Sequence, residues 1–260
     1  MLHSLYSSNR KHDIFIHILD GGISLKNRLK LSIFLKRIKF KFKYYKIDYG
    51  KIKNAPISNH ISLASYNRIF LSTVISNKID KILYLDCDLV VLKDIQSFFE
   101  FNLDDYYLGA VREIVNDEAI QRLELGEEYH YFNAGVQIVN LKKWRQDKFE
   151  DILIDFILNK TEKIVYHDQD TMNYCARGKW LELSYHHNAT HFFYFSHKYS
   201  SSYFGISDPL YEDIKTNPIV VHYTSQSKPW HSDCLHPKKE LFFKYELNFR
   251  QIIFNELISQ

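Results

Sequence analysis

Asp86 and Asp88 stand one residue apart, between the apolar runs Ile82 to Leu85 and Leu89 to Leu92. A run of this kind predicts a buried strand, in which residues i and i+2 point the same way. Both carboxylates are therefore expected to project together where the strand leaves the core. Two carboxylates held side by side repel, and a divalent cation between them is the simplest remedy.

Other polar residues sit at the ends of apolar runs elsewhere in the chain. Pro218 to Tyr223 reads as a buried strand that closes on His222. Asn133 precedes a strand pattern from Val136 to Leu141, and Gly135 leaves room for close backbone approach. Asp168, Gln169 and Asp170 precede a helical pattern from Thr171 to Ala176. An N-cap role for Asp168 explains one residue of that trio. Arg68 lies inside a helical pattern from Asn59 to Leu71 and becomes an anion contact if a phosphate is near. His186, His187 and His191 have no metal-ligand spacing and read as a polar loop.

The remaining elements alternate. Ile14 to Leu19 predicts a strand, Ser24 to Leu35 a helix, Ile38 to Lys43 a strand with one wet face, and Leu108 to Val111 another strand. Trp144 to Leu158 predicts one helix, and Pro237 to Gln260 an amphipathic one with Phe242, Tyr245, Phe249, Ile253 and Leu257 on one side. That helix suits docking on the core or lying on a membrane surface. Strands alternating with helices predict an α/β sandwich around a mostly parallel sheet, with ligands beyond the carboxyl ends of strands. Asp86, Asp88 and His222 all sit at such ends.

At 260 residues the chain suits one large domain, and 8 Gly and 5 Pro argue against linkers. A net charge of +3 is too small to imply nucleic acid. Cys87, Cys175 and Cys234 are isolated and suggest a reducing compartment. Without an 18-residue apolar run or a signal-like start, the cytoplasm is the expected location.

Four blocks in order carry a family resemblance: Leu83 to Asp88; Tyr131 to Gly135 with Asn140 to Trp144; His167 to Asp170 with Asn173; and His222 with Lys228 to His231. Together they resemble retaining glycosyltransferase family 8, over roughly Ser4 to Cys234. Within it, the bacterial lipooligosaccharide α-1,4-galactosyltransferases look most similar. Leu19 to Ser24, His60 to Ser62, Tyr66, Arg68 and Trp230 to Cys234 add to that likeness.

The resemblance implies a GT-A fold, a nucleotide-binding α/β/α sandwich around a mixed sheet. It implies transfer of a hexose from a UDP-sugar, with retention, to a lipid-linked lipopolysaccharide or lipooligosaccharide acceptor. Asp86, Asp88 and His222 match ligands of Mn²⁺, for which Mg²⁺ is the substitute. Lys228 matches a diphosphate contact. Arg68, Asn133, Asp168 and Gln169 match donor-sugar residues, with Cys87, Ala134 and Ser225 in the same donor-binding blocks. His60 matches an acceptor contact. Asp168 and Gln169 flank the reacting centre. An amide is a poor nucleophile, which suggests front-side attack by the acceptor hydroxyl.

Two departures from the family accompany the likeness. Met1 to Asn9 resembles the helix that follows the family's first strand, so that strand and its uridine-contacting turn are expected to be missing. Ser225 replaces a glycine that lets backbone approach the diphosphate. The expected organisation is a catalytic domain over 1–236 and an amphipathic segment over 237–260 with peripheral inner-membrane contact. The alternatives are a UDP-glucose-dependent glucosyltransferase, an inactive nucleotide-sugar-binding fragment, and a phosphohydrolase using Asp86 as nucleophile.

Overall fold

A computed structural model describes residues 1–57, 62–126, 128–195 and 199–258. Among them nine strands form three sheets. Strands β1 (Phe15–Asp20) and β2 (Lys41–Lys46) pair in parallel. A four-stranded sheet has the order β3 (Lys81–Leu85), β6 (Tyr131–Asn140), β5 (Leu108–Glu113), β7 (Trp180–Leu183). A three-stranded sheet has the order β4 (Leu89–Val91), β9 (Val220–His222), β8 (Ala189–Thr190).

The mixed sheet of the expectation is present, but parallel pairing does not predominate. The pairs β1/β2, β5/β7 and β8/β9 are parallel, while β3/β6, β5/β6 and β4/β9 are antiparallel. The long β6 accepts an antiparallel neighbour on each side, which the strand patterns alone did not reveal.

Apolar cores lie on both faces of the central sheet. One gathers Trp144, Phe149, Leu153 and Met172 from helices Leu141–Gln146, Phe149–Asn159 and His167–Cys175 over Phe132, Ala134 and Val139 of β6. The other joins Leu5, Phe34 and Ile253, from helices Leu2–Ser8, Leu25–Arg37 and Lys239–Ile258, to Val90, Val136, Ile138 and Val221. The C-terminal helix thus docks on the core. Its Phe249 ring packs 4.8 Å from Phe34, and Tyr245 lies 5.7 Å from His3.

Several boundaries move for local reasons. Ile38 ends a helix instead of starting a strand, because Lys39 turns left-handed (φ 60°) and Phe40 N–H bonds back to the Leu35 carbonyl. The Asn59–Leu71 expectation becomes a 3-10 helix at Leu63–Phe70 followed by a short α-helix at Leu71–Val74. Residues 58–61 lie outside the described residues. The Trp144–Leu158 helix is two helices, separated at Lys148 with φ 51°.

Candidate active site

The Asp86–Asp88 segment is the crossing between two sheets. Leu85 ends β3, Leu89 starts β4, and the three residues between them lie in no strand. Backbone bonds hold the crossing at both ends. Asp86 N–H donates to the Gly135 carbonyl at 2.8 Å, and Tyr223 N–H donates to the Asp88 carbonyl at 3.0 Å. Leu89 is paired with His222 across β4 and β9. This pairing carries the imidazole to the aspartates across 134 residues of sequence.

One ligand atom from each of Asp86, Asp88 and His222 lies within 4.8 Å of the others. His222 Nε2 is 3.1 Å from Asp88 Oδ1 and 4.0 Å from Asp86 Oδ2. Gly135 completes the cradle. A Cβ there would lie 2.1 Å from His222 Cε1 and 2.7 Å from Asp86 Oδ2. A bulge produces this approach, because β6 carries three extra residues, Ala134 to Val136, between the pairs Ala110/Gln137 and Val111/Asn133. The strand therefore begins at Tyr131, five residues before the expected Val136, and Asn133 lies within it. Two carboxylates, one imidazole and a missing Cβ fit a divalent cation.

Cationic side chains flank the triad. Arg68, buried in the 3-10 helix, reaches Asp86 Oδ1 at 2.8 Å and Asp168 Oδ2 at 2.7 Å. It also donates to the Ala134 carbonyl and lies over the Tyr84 ring at 4.4 Å. Lys228 Nζ is 2.5 Å from Asp88 Oδ2 and 2.8 Å from the Tyr223 carbonyl. Burial pushes the Asp168 carboxyl up to about 6, against the pull of Arg68. Burial also raises Asp86; Arg68 opposes the rise and Asp88 adds to it. Burial works against ionised Asp88 too, but His222 and Lys228 outweigh it and hold that carboxyl well below the usual range.

The polar trio divides by role. Asp168 does not cap its helix: Tyr166 occupies the N-cap position and Asp168 lies within the first turn. Asp170 anchors that turn instead. Fully buried, it accepts from Tyr131 Oη at 2.9 Å, Arg122 Nη1 at 2.9 Å, and the N–H groups of Val165 (2.8 Å) and Tyr166 (2.7 Å). Gln169 is held at both ends of its amide. Its Oε1 accepts from Ala134 N–H at 2.9 Å and its Nε2 donates to Glu113 Oε2 at 3.0 Å.

Ser225 lies outside the left-handed region and accepts from Ser227 N–H at 3.2 Å. Cys87 is exposed beside the carboxylates, and His60 lies outside the described residues. Glu113 and Asn188 escaped the sequence reading. The first ends a strand and is an acid at a carboxyl end, which was an available signal. Asn188 follows two histidines in a loop pattern that carried none.

Comparisons with known proteins give the chain's family and fold. The sequence profile of Glycosyl transferase family 8 matches residues 1–234. General stress protein A of Bacillus subtilis (strain 168) is 28% identical over 244 residues, covering 93% of this chain and 85% of its own length. Lipopolysaccharide 1,2-glucosyltransferase of Escherichia coli (strain K12) is 26% identical over 249 residues, with 92% and 70% coverage. The crystal structure of the galactosyltransferase LgtC with donor and acceptor sugar analogues superposes with a TM-score of 0.80 at 28% identity, covering 94% of this chain and 88% of that one. The chain is a GT-A protein that belongs to glycosyl transferase family 8.

Proposed function

We propose that this glycosyltransferase moves a hexose, galactose, from a UDP-sugar to a lipopolysaccharide or lipooligosaccharide acceptor with retention at the anomeric carbon. The observation that carries the proposal is the convergence of Asp86, Asp88 and His222 on a space that only glycine at 135 leaves open. LgtC, solved with donor and acceptor sugar analogues, supports a sugar donor and a sugar acceptor. A glucosyl donor is the second reading, favoured by the likeness to lipopolysaccharide 1,2-glucosyltransferases.

In this proposal Asp86, Asp88 and His222 hold Mn²⁺, or Mg²⁺ in its place, which supplies positive charge for the departing diphosphate. Lys228 swings from Asp88 to a diphosphate oxygen and contributes a charge-assisted hydrogen bond. Ser225 and Cys87 lie on loops that line the donor side, Ser225 presenting a hydroxyl. Arg68 stays with Asp86 and Asp168 and keeps the latter ionised beside the sugar. Asn133 and Ala134 shape the sugar floor from the β6 bulge, and His60 contacts the acceptor.

With retention proposed, double displacement is disfavoured because the groups near the sugar are already engaged: Asp168 is held by Arg68 at 2.7 Å. Asp170 has both oxygens engaged in the protein interior. The Gln169 amide is a weak nucleophile with its carbonyl oxygen already bonded. Front-side attack remains: the acceptor oxygen bonds to the anomeric carbon as the carbon–phosphate-oxygen bond breaks. The acceptor proton then passes to a departing diphosphate oxygen.

Residues 1–236 form the catalytic unit of the proposal, and the segment 237–260 braces it and touches the inner membrane. No helix among the described residues is long and apolar enough to cross a membrane. The outer face of the C-terminal helix, however, exposes Phe243, Leu247, Phe254 and Ile258 among Lys244 and Arg250. Exposed apolar side chains interleaved with charges of both signs, Arg250 being paired with Glu246, suit peripheral contact with a membrane surface. The testing experiment is UDP release from UDP-galactose and UDP-glucose, with and without Mn²⁺ and a lipooligosaccharide acceptor. Release that requires both metal and acceptor is expected. Release of inorganic phosphate, or UDP release that needs no acceptor, overturns the proposal.

A further inference from the structure

Behind the aspartate–histidine triad a row of buried amides runs back to one carboxylate. Glu113 Oε2, at the end of β5, accepts from Asn133 Nδ2 and Gln169 Nε2, each at 3.0 Å. Asn133 Oδ1 points the other way and accepts from the Gly135 N–H at 3.0 Å. A backbone N–H can only donate, so the orientation of the Asn133 amide is fixed twice, from opposite ends. The same Oδ1 accepts from Asn188 Nδ2 at 2.9 Å. Asn188 must then present its own oxygen to His222 Nδ1, 3.0 Å away. An amide oxygen only accepts, so Nδ1 carries a proton. Asn188, Asn133 and His222 are all buried.

We infer that Asn188, oriented by Asn133 and ultimately by Glu113, is a positioning residue that keeps a proton on Nδ1 of His222, so that Nε2 is the nitrogen turned toward Asp86 and Asp88 and left to ligate a cation. The inference rests on the proposed cation site. An imidazole binds a cation only through a nitrogen without a proton, and the partner of its other nitrogen decides which one that is. Were the proton on Nε2, it would be donated to Asp88 at 3.1 Å, and the ring would have no lone pair facing the triad. The same Glu113 oxygen orients Gln169, so one carboxylate sets both the imidazole and the amide beside the sugar.

The test compares the protein with its N188L and N188D variants, all stripped of metal. Leucine fills the space without an acceptor, whereas aspartate keeps an acceptor facing Nδ1. Mn²⁺ affinity, read by electron paramagnetic resonance, is expected to fall about 10- to 100-fold in N188L and only a few-fold in N188D. Long-range ¹⁵N–¹H correlation of the His222 ring in the metal-free protein is expected to show protonated Nδ1 in the wild type and N188D, and Nε2–H in N188L. Wild-type Mn²⁺ affinity in N188L, equal loss in both variants, or a wild-type ring with its only proton on Nε2 overturns the inference. If the wild type binds no cation yet shows the expected ring spectra, the cation site fails and the assignment of the tautomer to Asn188 stands. Should N188L not fold, the wild-type ring spectrum decides.

Discussion

A Cβ on Gly135 would lie 2.1 Å from Cε1 of His222, inside any permitted contact. The β6 bulge and the end of β9 thus meet at a distance that one hydrogen atom allows and one methyl group does not. Substituting Gly135 by alanine must push the imidazole or Asp86 aside. G135A is expected to lose Mn²⁺ affinity by at least the ~10- to 100-fold typical of disturbing what holds a metal ligand in place, with near-UV circular dichroism unchanged away from the site. Calorimetric titration of Mn²⁺ into both proteins checks this, and unaltered affinity would contradict it.

Arg68 bridges Asp86 and Asp168 and pulls both carboxyls down against the burial that raises them. Asp168 sits near 6, so its ionised form is lost as the pH falls through that value. The acid limb of kcat/KM reports groups of the free enzyme and is expected near pH 6. Removing the guanidinium takes away the downward pull, so R68M shifts the limb to higher pH as well as lowering the plateau. A pH–rate profile for the two proteins checks the sign. A limb that moves to lower pH in R68M rules out this electrostatic assignment.

Asp170 stands one residue from Gln169 but is expected to matter for folding rather than for the reaction. Its carboxylate accepts four hydrogen bonds inside the protein, and an asparagine NH₂ would face donors. D170N should cost about 2–4 kcal/mol, the scale for breaking a buried, fully bonded carboxylate. At this chain length that lowers Tm by roughly 5–15 °C. Scanning calorimetry measures it. A covalent glycosyl adduct trapped on Asp170 would instead make it a nucleophile.

Much of this site was legible because its chemistry is concentrated in short blocks. The aspartate pair and His222 announce themselves as polar groups ending apolar runs, and the 168–170 trio as consecutive polar residues before a helical pattern. What was not legible depends on pairing. The Asp86–Asp88 crossing belongs to two sheets, and only the β4/β9 register brings His222 opposite Leu89. The bulge that aims Gly135 is a mismatch between two strands, invisible in either one. Asn188 looked like loop filler because its role is to bond side chains from β6 and β9, far away in sequence. The left-handed residues Lys39 and Lys148 broke elements where no glycine marked the break.

Lys228 is the expected diphosphate contact that can be removed without touching the core. It is partly exposed, and its bonds go to Asp88 and the Tyr223 carbonyl. K228A should weaken UDP binding in the presence of Mn²⁺ by about 10- to 100-fold, the equivalent of one charge-assisted hydrogen bond. K228R should retain most of the affinity, and Tm should change little in either. Fluorescence or calorimetric titration with UDP checks the pair, and equal affinity in K228A and the wild type would remove Lys228 from the donor site.

The outer face of the C-terminal helix gives a separate outcome. Deleting the helix would open the core at Ile253 and Phe249, so point changes are the cleaner probe. L247S with F254S is expected to reduce sedimentation with anionic vesicles while leaving transfer to a soluble acceptor intact. Unchanged sedimentation would count against membrane contact.

The most direct measurement is the anomeric configuration of the product first formed from UDP-α-galactose, followed by NMR with Mn²⁺ and a lipooligosaccharide acceptor. An α-linked galactoside is expected, formed by the wild type and absent when a chelator is added or Asp88 is replaced by asparagine. A β-linked product, or the same α-linked product formed at the same rate without a divalent cation, would contradict that expectation.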